Sequence, residues 1–104
     1  MNVKITRTIF WGGPNHLSRM FKNWPSRLPI VGEDIFFDID GDTEVSAPIK
    51  KITWLIDSHG VYAHIELEPY DGNPWAKTNE EQKKLALDEL KIWKSAGFSQ
   101  EVEE

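Results

Sequence analysis

Between Asn2 and Trp11, apolar side chains fall on alternate positions. Val3, Ile5, Ile9 and Trp11 form one row, with Lys4, Thr6 and Thr8 opposite. A period of two predicts a half-buried strand. Arg7 interrupts the apolar row, so it is expected either at a sheet rim with its head in water or stacked on an aromatic ring. Gly12-Gly13-Pro14 stops the strand. Leu17, Met20, Phe21 and Trp24 then recur at i, i+3, i+4 and i+7. This spacing predicts a short helix or turn-rich segment over residues 16–23, capped by Asn15 and ended by Pro25. It lies in a connection, residues 14–32, long enough to be functional or to hide an element.

Ile35, Phe37 and Ile39 alternate with Asp34, Phe36 and Asp38 as a second strand, and Asp40-Gly41 favours a tight primed hairpin turn. On the return strand from Val45 to Ile56 the apolar parity changes, from Val45, Ala47 and Ile49 to Ile52, Trp54 and Ile56. A change of face within a strand requires a β-bulge, placed between Pro48 and Lys51, unless Pro48 begins a separate strand. After the turn Asp57–Gly60, Val61, Ala63, Ile65 and Leu67 alternate with Tyr62, His64 and Glu66, and Pro69 ends the run. Sequential strands with short connections predict a meander, with the first strand closing against one of its edges.

Thr78-Asn79-Glu80-Glu81 has the form of a capping box. From there Leu85, Ala86, Leu90, Ile92, Trp93 and Ala96 make a helical stripe. Gly97 stops the helix, Phe98 is positioned to fold back on its last turn, and residues 99–104 read as an acidic, frayed tail. The expected fold class is α+β, mainly β. It is a small antiparallel, strongly bent or half-open barrel-like sheet of 4–5 strands, with the C-terminal helix packed across it. Residues 1–98 form a single globular domain.

Composition narrows the chemistry. The chain has 104 residues and 12.0 kDa, with five Trp, five Phe, two Tyr and no Cys. That is one domain with enough aromatic material for a core, and disulfides, thiolate catalysis and cysteine-ligated metals are excluded. No long apolar run or export layout is visible, so a soluble cytoplasmic protein without a membrane partner is expected. The net charge of −5 is divided unevenly: residues 1–32 carry five cations and no carboxylate, while residues 33–104 carry seven Lys and 17 carboxylates.

No catalytic motif stands out. Asp38, Asp40 and Asp42 imitate the start of a calcium loop, but Gly41 is two positions too early and Ile49 stands where the closing Glu belongs. His64, Glu66 and Glu68 share one face of a strand, and a metal-dependent hydrolase built on them is the second alternative. Nucleophile elbows, dinucleotide fingerprints and P-loops are missing. No cofactor and no metal are therefore expected, and the balance leans away from an enzyme. Aromatic rings beside turns, accompanied by basic residues, point instead to a surface for a protein or peptide partner, or a second copy of the chain. Its expected residues are Trp11, His16, Arg19, Lys22, Trp24, Arg27 and Trp75. The first alternative is nucleic acid held by Arg7, Arg19, Lys22 and Arg27 with Trp11 and Trp24 stacking on bases, which the net negative charge disfavours.

Overall fold

The computed structural model describes residues 2–24, 27–58, 60–72 and 76–101. The alternating N-terminal row forms β1 (Asn2–Phe10), with Val3, Ile5 and Ile9 fully buried. Gly12 and Gly13 adopt φ of 64° and 111°, conformations that a side chain would strain, and the chain turns back. The returning segment is β2 (Pro14–Phe21), paired antiparallel with β1 from Phe10↔Pro14 to Val3↔Phe21.

This strand replaces the helix expected over 16–23. The same residues also carry a period of two, with Leu17, Arg19 and Phe21 opposite the inner row of β1. Leu17 is fully buried, whereas Met20, part of the helical stripe, is 50% exposed. Pairing with an adjacent strand outweighs the few tenths of a kcal/mol per residue that separate local propensities. Asn15 caps nothing; its side-chain amide donates to the carbonyls of Ile9 and Trp11, both at 3.1 Å, and ties the turn. Pro25 lies outside the described residues.

Strands β3 (Asp34–Asp38), β4 (Glu44–Asp57) and β5 (Gly60–Leu67) form the expected antiparallel meander. The β3–β4 connection is wider than a two-residue primed turn. Ile39 N–H donates to the Thr43 carbonyl at 2.8 Å, and the Asp40 carboxylate accepts from the amides of Asp42 and Thr43 at 3.0 and 2.7 Å. The register of β4 against β5 slips between Ile49 and Lys51, which is the bulge that the parity change requires. β1 closes on β5 in parallel, from Asn2↔Tyr62 to Thr6↔Glu66. With β6 (Ser99–Gln100) on β2, the described strands number six, in the order β3-β4-β5-β1-β2-β6. The fold is α+β and mainly β, a curled, half-open barrel whose sheet is mixed because of the β1–β5 pairing.

Helix α1 (Asn79–Ser95) starts at Thr78, whose hydroxyl accepts from Glu81 N–H at 3.1 Å. The Glu81 carboxylate accepts from Lys77 N–H at 2.8 Å, one residue before the cap. At the other end Gly97 takes φ 93°, and Phe98 N–H returns to the Trp93 carbonyl at 3.2 Å. Trp93, fully buried, meets Phe98 and Phe37 edge-on at 5.0 and 5.7 Å between ring centroids. Arg7 lies in this core rather than at a rim. Its guanidinium is 5.2 Å from the Trp93 ring centroid, donates to the Glu68 carbonyl at 2.6 Å and stands 4.0 Å from the Glu89 carboxylate. Burial lowers its pKa, while Glu89 and Glu68 oppose the shift.

The segment after the helix is less free than a frayed tail. Gln100 pairs with Leu17, Glu101 N–H donates to the His16 carbonyl at 2.8 Å, and Lys4 Nζ lies 2.7 Å from the Glu101 carboxylate. The hydrogen bond from Lys4 keeps that carboxyl below its usual range. Residues 102–104 lie outside the described set.

Candidate functional site

Beyond Phe21 the chain leaves the sheet and returns to it at Asp34. Trp24 folds back so that its ring meets Phe21 edge-on at 5.5 Å. Glu33 closes the far end of the connection: its N–H donates to the Ile30 carbonyl at 3.1 Å, and its carboxylate accepts from Ile30 N–H at 3.2 Å. Gly32 N–H donates to the Ile49 carbonyl and Ile49 N–H to that of Glu33, both at 2.9 Å, so this corner is stitched to β4 just ahead of β3. Between the two ends lies a groove of about 370 Å³, lined by Trp24, Arg27, Leu28, Pro29, Glu33, Asp34 and Ile35. Ile30 and Val31 are exposed beside it. The Trp24 indole N–H is buried and finds no acceptor among the described residues.

Charge of both signs meets at this end: Arg27 lines the groove together with Glu33 and Asp34. Six carboxylates and no Lys or Arg occur from Glu33 to Glu44. Two of them hold the hairpin: Asp38 accepts from Gly41 N–H at 2.8 Å, and Asp40 is kept below the usual carboxylate range by the amides of Asp42 and Thr43. Among the described residues β3 is the terminal strand of the sheet, so one of its edges offers unpaired backbone groups next to the groove.

The residues expected to bind are dispersed. Trp24 and Arg27 meet in the groove, and Lys22 is exposed in the connection leading to it. Trp11 follows β1 at the opposite end of the β1–β2 hairpin, roughly 24 Å away for seven strand steps. Arg19 serves the fold. Its guanidinium donates to the Ala96 carbonyl at 2.7 Å, stacks 4.5 Å from the Phe21 ring centroid, and fills the space where a Cβ on Gly97 would come within 3.2 Å. A cation there also complements the negative end of α1. Trp75 lies outside the described residues. Leu28, Pro29, Glu33, Asp34 and Ile35 are not among the residues that the sequence marks for binding. The short apolar run from Leu28 to Val31, lacking both strand and helix period, was the available signal.

His16 sits on the outer face of the sheet, its Nδ1 3.0 Å from the Thr8 hydroxyl. His64, on β5 at the other side of β1, makes the same kind of bond, Nε2 to the Thr6 hydroxyl at 2.9 Å. Burial, followed by the positive charge of Lys4, lowers the His64 pKa below its ordinary value of 6.5 and favours the neutral ring. A hollow of about 120 Å³ passes between Thr6, Thr8, His16, Lys50 and Glu66. Among the described residues no three His, Asp or Glu side chains are grouped to hold a metal ion, and no helix is long and apolar enough to cross a membrane.

Compared with known proteins, the chain matches no family model, no curated protein and no solved structure.

Proposed function

We propose that this protein is a non-catalytic interaction module, acting in the cytoplasm, that receives a protein or peptide partner at the Trp24–Ile35 groove and along the free edge of β3. One observation carries the reading: a groove lined by Trp24, Leu28, Pro29 and Ile35, with Glu33, Asp34 and Arg27 on its wall, adjoins an unpaired strand edge. A strand edge supplies main-chain hydrogen bonds to an extended peptide, and adjoining pockets select its side chains. The surplus of carboxylates from Glu33 to Glu44 favours a partner segment that alternates apolar and basic residues. The nucleic-acid alternative is weakened because Arg7 and Arg19, two of its four cations, are committed to the core and to the helix terminus.

A peptide array tests this directly. The expected binders are extended segments with Lys or Arg interleaved with apolar residues, and their affinity falls with added salt. Exposed Asp34→Lys is expected to weaken them while leaving the melting temperature unchanged. Binding that is indifferent to peptide charge, or to Asp34→Lys, would overturn the proposal.

A further inference from the structure

A second surface, independent of the groove, lies on the lower half of β4. β3 pairs only with Glu44–Pro48 of that strand. From Lys51 to Asp57, β4 is paired on one side, with β5, and no other described strand lies against its second edge. Asp57 pairs with Gly60 across two intervening residues, the hydrogen-bonded closing pair of a hairpin. Alternation then turns the N–H and C=O groups of Ile52, Trp54 and Ile56 toward the open edge.

Two apolar side chains on this stretch, Trp54 and Ile56, are also uncovered, while Ile52 is half-buried against the core. Trp54 and Ile56 stand opposite Ala63 and Val61, on the face that elsewhere forms the core. Yet Trp54, Ile56 and Val61 are 56%, 79% and 52% exposed. Strand edges are commonly guarded by proline, bulges or inward charges. Residues 52–56 carry no charge and no proline, and the bulge of β4 precedes them.

We infer that this edge pairs with the same edge of a second copy of the chain, antiparallel about a two-fold axis at Trp54. The charge pattern selects this occupant and this register. With Trp54 opposite its own symmetry mate, Ile52 faces Ile56 of the other copy, Thr53 faces Leu55, and Lys51 faces Asp57 at both ends. Opposite charges directly across an antiparallel pair are stabilising, and like charges are the reverse. The apolar row Ile52, Trp54, Ile56 becomes continuous with its copy across the axis. The interface is isologous, so it closes at two subunits rather than growing into a filament.

Sedimentation equilibrium of the full chain is expected to show a monomer–dimer equilibrium. Lys51→Asp places carboxylates opposite one another at both ends of the seam and should raise the dissociation constant by at least about tenfold. Asp57→Lys should do the same, and combining the two exchanges should restore the original value. Circular dichroism of each variant establishes that it remains folded. Hydrogen exchange of the unaltered protein supplies a readout that needs no variant: amides of Ile52, Trp54 and Ile56 gain protection as concentration rises. Asp34→Lys, which disables the groove, leaves the dimer intact. A monomer at every concentration, a dimer indifferent to Lys51→Asp, a double exchange that restores nothing, or exchange at these amides independent of concentration would each overturn the pairing. A chain that stays monomeric yet binds free peptides at this edge counts among the overturning results.

Discussion

The inner face of β4 is covered over one half and bare over the other. Val45, Ala47 and Ile49 lie within the core cluster that contains Trp93 and Phe98. Past the bulge the row continues as Ile52, Trp54 and Ile56, at least as apolar, yet Trp54 and Ile56 stand mostly in water. Hydrophobic patterning therefore identifies which face of a strand avoids water, but coverage depends on what lies across it. An exposed apolar row beside a strand edge is a surface suited to association.

This contrast is open to attack by mutation. Truncating the covered half should have the largest effect. Trp93→Ala removes a fully buried indole from between Arg7, Phe37 and Phe98, and is expected to cost about 3–5 kcal/mol in denaturant unfolding. That is a large part of what a domain of this size possesses. A middle-sized loss should come from the polar seam of the same half. The Glu89 carboxylate accepts from Trp93 Nε1 at 3.0 Å and is the carboxylate nearest Arg7 in the ion pair described above. Glu89→Ala leaves the buried Trp93 N–H without its acceptor and takes a carboxylate away from buried Arg7, which keeps the Glu68 carbonyl, and a loss of about 1–3 kcal/mol is expected. Smallest of all should be Trp54→Ser, which in dilute protein is expected to change unfolding free energy by less than about 0.5 kcal/mol. A Trp54 variant as damaging as the Trp93 one would show that the lower half of β4 is covered after all, and the comparison would fail.

Where the fold departs from the local pattern, a partner distant in sequence is the cause. Residues 16–23 satisfied two periods at once, and local spacing had no means to choose between a stripe containing Met20 and a row containing Arg19. The choice was made by the neighbouring edge of β1, a partner joined through a tight glycine turn. Arg19 likewise looked like a surface cation because its acceptor, the Ala96 carbonyl, lies 77 residues away in the chain. The groove was only half visible. Trp24 and Arg27 stand out by their side-chain chemistry, whereas Ile35 and Asp34 join them only because β3 begins beside Trp24 in space.

What the chain determines by itself are features set within a few residues: the alternating rows of β1 and β5, the reversal of parity that demands a bulge near Lys50, the Thr78 cap, and the Gly97 stop. Stereochemistry and solvent preference act over one or two turns of backbone, so their imprint is readable there. The parallel seating of β1 on β5, the burial of Arg7 against Trp93, and the half of β4 left without cover were decided by tertiary structure alone. Each depends on which distant surface arrives at a given face, and a residue's own neighbours in sequence carry no record of that.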